Sequence, residues 1–95
     1  MTRARIRKES GYNVVKIDGH AGFNPGNDIV CAAVSTLMFA YLNTLIEEGI
    51  DYELFSADGS YMIKSKSDDV EPYLRMLTVG LKMIRQEYPE YVEVE

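Results

Sequence analysis

From Asp28 to Glu48 the chain carries neither glycine nor proline. Within that stretch Ile29, Ala33, Leu37, Tyr41 and Leu45 recur every four residues, and Val30, Val34, Leu42 and Ile46 widen the stripe. The spacing predicts a helix about 30 Å long at 1.5 Å per residue. Asn27 or Asp28 is its natural N-cap, and Gly49 ends it. A rod of that length, apolar around most of its circumference, needs more than one surface to pack against. The rest of a 95-residue chain has to supply those surfaces.

Strands supply the first surface. Arg3-Ala4-Arg5-Ile6-Arg7-Lys8 alternates as a strand with one basic, solvated face. Ser10-Gly11 reads as a turn, and Tyr12 to Asp18 as a second strand. Gly19 to Gly26 is a glycine-rich loop that also holds Asn24-Pro25. After the long helix, Asp51–Ala57 and Ser60–Lys66 flank Asp58-Gly59. Asp-Gly between β-rich runs predicts a hairpin with a type I′ turn, both central residues at positive φ. Asp68 and Glu71 form a capping box, and Pro72 fits the first turn of a second helix. Leu74, Leu77, Leu81, Ile84 and Tyr88 line one of its faces. Tyr91 to Val94 is a last short strand. The order ββαββαβ predicts an α+β two-layer sandwich, a largely antiparallel sheet with two helices on one face.

Composition sets the limits. Hydrophobic residues make up 46% and charged residues 26%, the balance of a globular protein. The length suits one domain, residues 1–95. Fifteen acidic and ten basic residues leave a net charge of -5. That surface argues against direct nucleic-acid binding and favours a basic partner. A single cysteine excludes an internal disulfide, and a single histidine excludes a multi-histidine metal site. No apolar run reads as a membrane span or a signal peptide, so the expected location is the cytoplasm.

That cysteine and that histidine share one short segment. His20 stands where a strand enters the loop, and Cys31 lies in the first turn of the helix that follows. Unpaired N–H groups at a helix start stabilise a thiolate. An imidazole nearby takes the thiol proton, and the same N–H groups suit an oxyanion. The structural alternative is ordinary: a lone Cys in an Ala- and Val-rich helix is a small core residue, and a lone His at a strand end is simply hydrogen-bonded. Asp28 is an N-cap that can also polarise the site, and Ser35 lies one turn after Cys31 on the same face. Gly22, Phe23 and Gly26 belong either to a plain connector or to a lid.

The segments Gly19-His20-Ala21-Gly22 and Gly26-Asn27-Asp28-Ile29-Val30-Cys31-Ala32-Ala33-Val34-Ser35 resemble the signature of the Prp family of ribosomal-processing cysteine proteases. The resemblance implies a homodimeric cytoplasmic protease with a Cys–His pair and no metal or cofactor. It implies Cys31 as nucleophile and His20 as general base, with Gly19, Asp28 and Ser35 at the other signature positions. The implied substrate is the large-subunit ribosomal protein L-twenty-seven, whose apolar N-terminal extension is removed near Phe-Ala. The ten residues between His20 and Cys31 are one fewer than the commonest family form. Two rivals stand beside this reading. One is an acidic dimeric binding module without chemistry. The other is a thiol redox sensor, which the absence of a second cysteine disfavours.

Overall fold

The computed structural model describes residues 1–24 and 28–95. The expectation placed on Gly26 lies outside the described residues. The elements are β1 (Thr2–Glu9), β2 (Tyr12–Asp18), α1 (Ile29–Glu47), β3 (Glu53–Ala57), β4 (Ser60–Ser65), a 3₁₀ turn (Asp68–Val70), α2 (Glu71–Glu87) and β5 (Val92–Val94). They form the ββαββαβ sandwich that the sequence predicts.

The five strands lie in the order β3-β4-β2-β1-β5. Three pairings are antiparallel, while β5 returns from α2 to lie parallel to β1. Strand alternation sends Ala4, Val15, Ile17 and Ile63 into the core. The other face carries the Arg row, neutralised by the C-terminal segment: Arg3 meets Glu93 at 3.3 Å, and Arg5 and Arg7 both reach Glu95.

Both helices cover the apolar face. Val30, Val34, Met38, Tyr41, Leu42 and Leu45 of α1 join Leu74, Leu77 and Leu81 of α2 in one buried cluster. Each fully buried Leu or Ile contributes about 1.5–3 kcal/mol. The helices approach closely at Gly80, where a side chain would press on Leu37 of α1 at 2.8 Å.

Three local expectations are corrected. Ser10 and Gly11, not Asp58 and Gly59, are the pair with both residues at positive φ. In the β3–β4 turn only Gly59 is positive, at 71°. The cap before α2 is Ser67, whose hydroxyl accepts the Asp69 N–H at 3.1 Å and starts the 3₁₀ turn one residue before Asp68. Finally, α1 is long and apolar enough to cross a membrane by length and composition. The span is hidden in the sequence because Ser35, Thr36, Asn43 and Thr44 interrupt the apolar residues without charging them. Here the helix packs on the sheet, and Ile29, Phe39 and Ile46 remain exposed.

Candidate active site

The site is built where β2 runs out. Gly19 follows the strand at φ 84° and donates its N–H to the Gly59 carbonyl at 2.7 Å. A Cβ at Gly19 would collide with the Met1 carbonyl, so only glycine lets the chain pass beneath the N-terminal strand. His20 comes next, with its side chain exposed to solvent. Ala21 is buried at 3% exposure, and its backbone N–H donates to the Cys31 sulfur at 3.1 Å. Strand end and helix start are thereby joined through the sulfur itself.

Asp28 closes the base of the loop. Its Oδ1 accepts the N–H groups of Val30 at 2.9 Å and Cys31 at 3.0 Å. Its Oδ2 accepts the Phe23 N–H at 3.0 Å. The Cys31 N–H, first of all, holds the Asp28 carboxyl below its ordinary range; burial opposes this, and the Phe23 N–H, the Cys31 side chain and the Val30 N–H reinforce it.

This geometry changes the expected role of the helix start. The Val30 and Cys31 N–H groups are already paired with a carboxylate, so they are not open oxyanion donors. The donor that reaches the sulfur comes from the loop, at Ala21.

Gly19, His20, Cys31 and Ser35 line one cleft of about 180 Å³, so four of the residues singled out in the sequence meet there. Buried Thr2, Ile17, Val34 and Met38 line it as well. Asp58, Gly59 and Tyr61 complete the lining from the β3–β4 hairpin. Apart from the turn signature of Asp58-Gly59, those three carry no functional signal in the sequence. Asp28 acts from beside the cleft, through its bonds to Cys31 and Phe23. Gly22 is exposed, and Phe23 is docked edge-on against Tyr88 and Tyr91, with ring centroids 5.3 Å away in each case. A wider groove of about 760 Å³ between β1 and α2 holds neither histidine nor cysteine. Among the described residues no group of three His, Cys, Asp or Glu side chains is placed to hold a metal ion.

The family model of cysteine protease Prp matches residues 1–93. The chain belongs to the Prp family of cysteine proteases. Its relatives include the ribosomal processing cysteine protease Prp of Staphylococcus aureus, 30% identical over 96 residues, a match spanning 94% of this chain and 91% of that protein. The crystal structure of the S. aureus Prp in complex with a covalently linked product peptide superposes with a TM-score of 0.88 at 29% identity, covering 100% of this chain and 98% of that one. The same protease in complex with a substrate peptide gives a TM-score of 0.83 at 27% identity, with the same coverage. A Streptococcus mutans protein of known structure is similar at a TM-score of 0.75 and 28% identity, covering 100% of this chain and 92% of that one. The protein is thus a cysteine protease of a family that acts in ribosomal processing.

Proposed function

We propose that the protein is an endopeptidase that removes the N-terminal extension of ribosomal protein L-twenty-seven, with Cys31 as nucleophile and His20 as proton carrier. The observation that carries this reading is the shared cleft of the two side chains, with the Ala21 N–H on the Cys31 sulfur at 3.1 Å.

The chemistry is acyl transfer. The Cys31 thiolate attacks the scissile carbonyl carbon and a C–S bond forms. The tetrahedral intermediate collapses, the C–N bond breaks, and protonated His20 gives its proton to the leaving amine. Neutral His20 then takes a proton from water as that water attacks the thioester. The C–S bond breaks, the acid product leaves, and thiolate and imidazolium are restored. Asp28 fixes the helix start and the loop on either side of the sulfur. A net charge of -5 attracts a basic ribosomal protein. The free thiol that the reaction needs suits the reducing cytoplasm.

The working form is a homodimer. Phe39 and Ile46 of α1 and Leu54 of edge strand β3 are 38%, 49% and 43% exposed, apolar surface that a second copy of the chain would cover. Phe39 continues this surface toward the cleft through an edge-on contact with Tyr61, ring centroids 5.6 Å apart.

The reading is tested by incubating the protein with a peptide copying the N-terminal segment of the host's ribosomal protein L-twenty-seven, followed by mass spectrometry. Cleavage at one bond within the apolar extension is expected. An intact peptide after prolonged incubation with the dimeric protein contradicts the proposal.

A further inference from the structure

We infer that Gly59 is a positioning residue for His20, and that the β3–β4 turn is the stop against which the imidazole stands. The inference rests on the reading of His20 as the proton carrier.

The approach is close. A Cβ built on Gly59 would lie 3.2 Å from His20 Nε2, 3.7 Å from Cδ2 and 3.9 Å from Cε1. The tip of the ring therefore faces Gly59 across the space of one methyl group, and filling that space crowds the ring. The turn also holds the backbone that carries the ring. Gly59 accepts the Gly19 N–H at 2.7 Å, immediately before His20. One residue further along each strand, the Ser60 hydroxyl donates to Asp18 Oδ1 at 2.7 Å, across the terminal Asp18–Ser60 pair of β2 and β4.

An exposed imidazole on a strand end has several rotamers open to it, and ordering it costs entropy. A wall on one side removes part of that freedom before substrate arrives. Proton transfer needs donor and acceptor within hydrogen-bond reach. A displacement of 1 Å costs on the order of a hundredfold in rate. At 3.2 Å an added Cβ displaces the ring tip by a few tenths of an ångström or turns it away. The expected loss is about tenfold in kcat. Substrate binding, which depends on the rest of the cleft, is left nearly unchanged.

Strain must be separated from contact. Gly59 has φ 71°, so alanine there is strained whatever the space. Gly11, in the β1–β2 turn, has φ 81° and nothing within 4 Å of its absent Cβ. Gly11→Ala therefore carries the same kind of strain without touching the histidine. Gly59→Asn is the second variant, since asparagine tolerates positive φ but brings the Cβ. His20 is the only histidine, so its imidazole NMR signals report on this one ring.

The experiment compares wild type, Gly59→Ala, Gly59→Asn, Gly11→Ala and His20→Ala, each in the full chain. It measures kcat and KM on the ribosomal-protein peptide and records the imidazole resonances. Both Gly59 variants are expected to lose about tenfold in kcat with KM within twofold, and to shift the imidazole signals. Gly11→Ala is expected to keep kcat and the wild-type signals. Wild-type kcat in either folded Gly59 variant overturns the inference. So do unmoved imidazole signals, or a loss confined to KM. Full activity in His20→Ala overturns the underlying reading of His20 instead, so the two failures are told apart.

Discussion

Asp28 ties Phe23 to the helix that carries Cys31: one carboxylate oxygen accepts the Phe23 N–H at 3.0 Å while the other caps α1. The loop after His20 is thus fastened at its near side by a backbone bond and an aromatic contact. A lid that swings from Ala21 would have to break both. In this conformation both contacts hold Phe23.

Asp28→Asn separates the two duties of that carboxylate. The amide keeps one acceptor for the cap and loses the other. The Phe23 amide is expected to exchange about tenfold faster with solvent, while the amides of Val30 and Cys31 keep their protection. Hydrogen exchange read residue by residue checks this. Equal protection of the Phe23 amide in both proteins contradicts the assignment.

The same group gives a pH dependence. The carboxyl lies below its usual value of 3.8 in the folded protein. The folded state therefore binds fewer protons than the unfolded state between that lowered value and 3.8. The stabilisation is complete above 3.8 and is lost as pH falls through the folded value. The stability difference between wild type and Asp28→Asn is expected to narrow on acidification below 3.8, as read by urea denaturation. A constant gap contradicts it.

The two helices, both hairpins and the ββαββαβ order are legible in the sequence because they rest on local patterns of period two and period four, with glycine at the breaks. The shared cleft of His20 and Cys31 is legible as proximity along the chain. What escapes is whatever depends on long-range register. Gly59 meets His20 only because β4 pairs with β2 so that Ser60 faces Asp18. Phe23 finds Tyr88 and Tyr91 only after α2 and β5 have packed. The Asp58-Gly59 signature finds the hairpin but not the dihedral angles of its turn: only Gly59 takes positive φ there, whereas Ser10 and Gly11 both do.

Gly19→Ala is expected to lower Tm by about 10 °C, through positive φ and collision with the Met1 carbonyl. The peptidase rate should fall with it, because His20 is the next residue. Thermal unfolding followed by circular dichroism is the check, and an unchanged Tm contradicts the packing described for the N-terminal strand.

Tyr41 governs the alkaline side. Burial, helped by the negative charge of Glu71, pushes its hydroxyl up to about 12 from 10.0. Above pH 10 the unfolded state loses this proton while the folded state keeps it, so stability falls as pH rises from 10 toward 12. The full effect is on the order of 2–3 kcal/mol. Tyr41→Phe is expected to flatten this part of the profile, as read by denaturation at pH 9 and pH 11.

The exposed apolar side of α1 and β3 predicts a dimer at micromolar concentration. The double variant Ile46→Lys with Leu54→Lys replaces two exposed apolar side chains by charges and is expected to sediment as a monomer, while wild type sediments as a dimer. A monomeric wild type contradicts the proposed assembly.

The central claim, that Cys31 is the nucleophile, is tested most directly by the initial cleavage rate of Cys31→Ala on the ribosomal-protein peptide, with circular dichroism to show that the fold is kept. Losing one sulfur from a partly buried position costs about 1 kcal/mol or less, so the variant is expected to fold. Its cleavage is expected to fall by at least a factor of about 10³, the scale for removing an activated nucleophile. Cleavage by the folded variant at the wild-type rate would contradict the account.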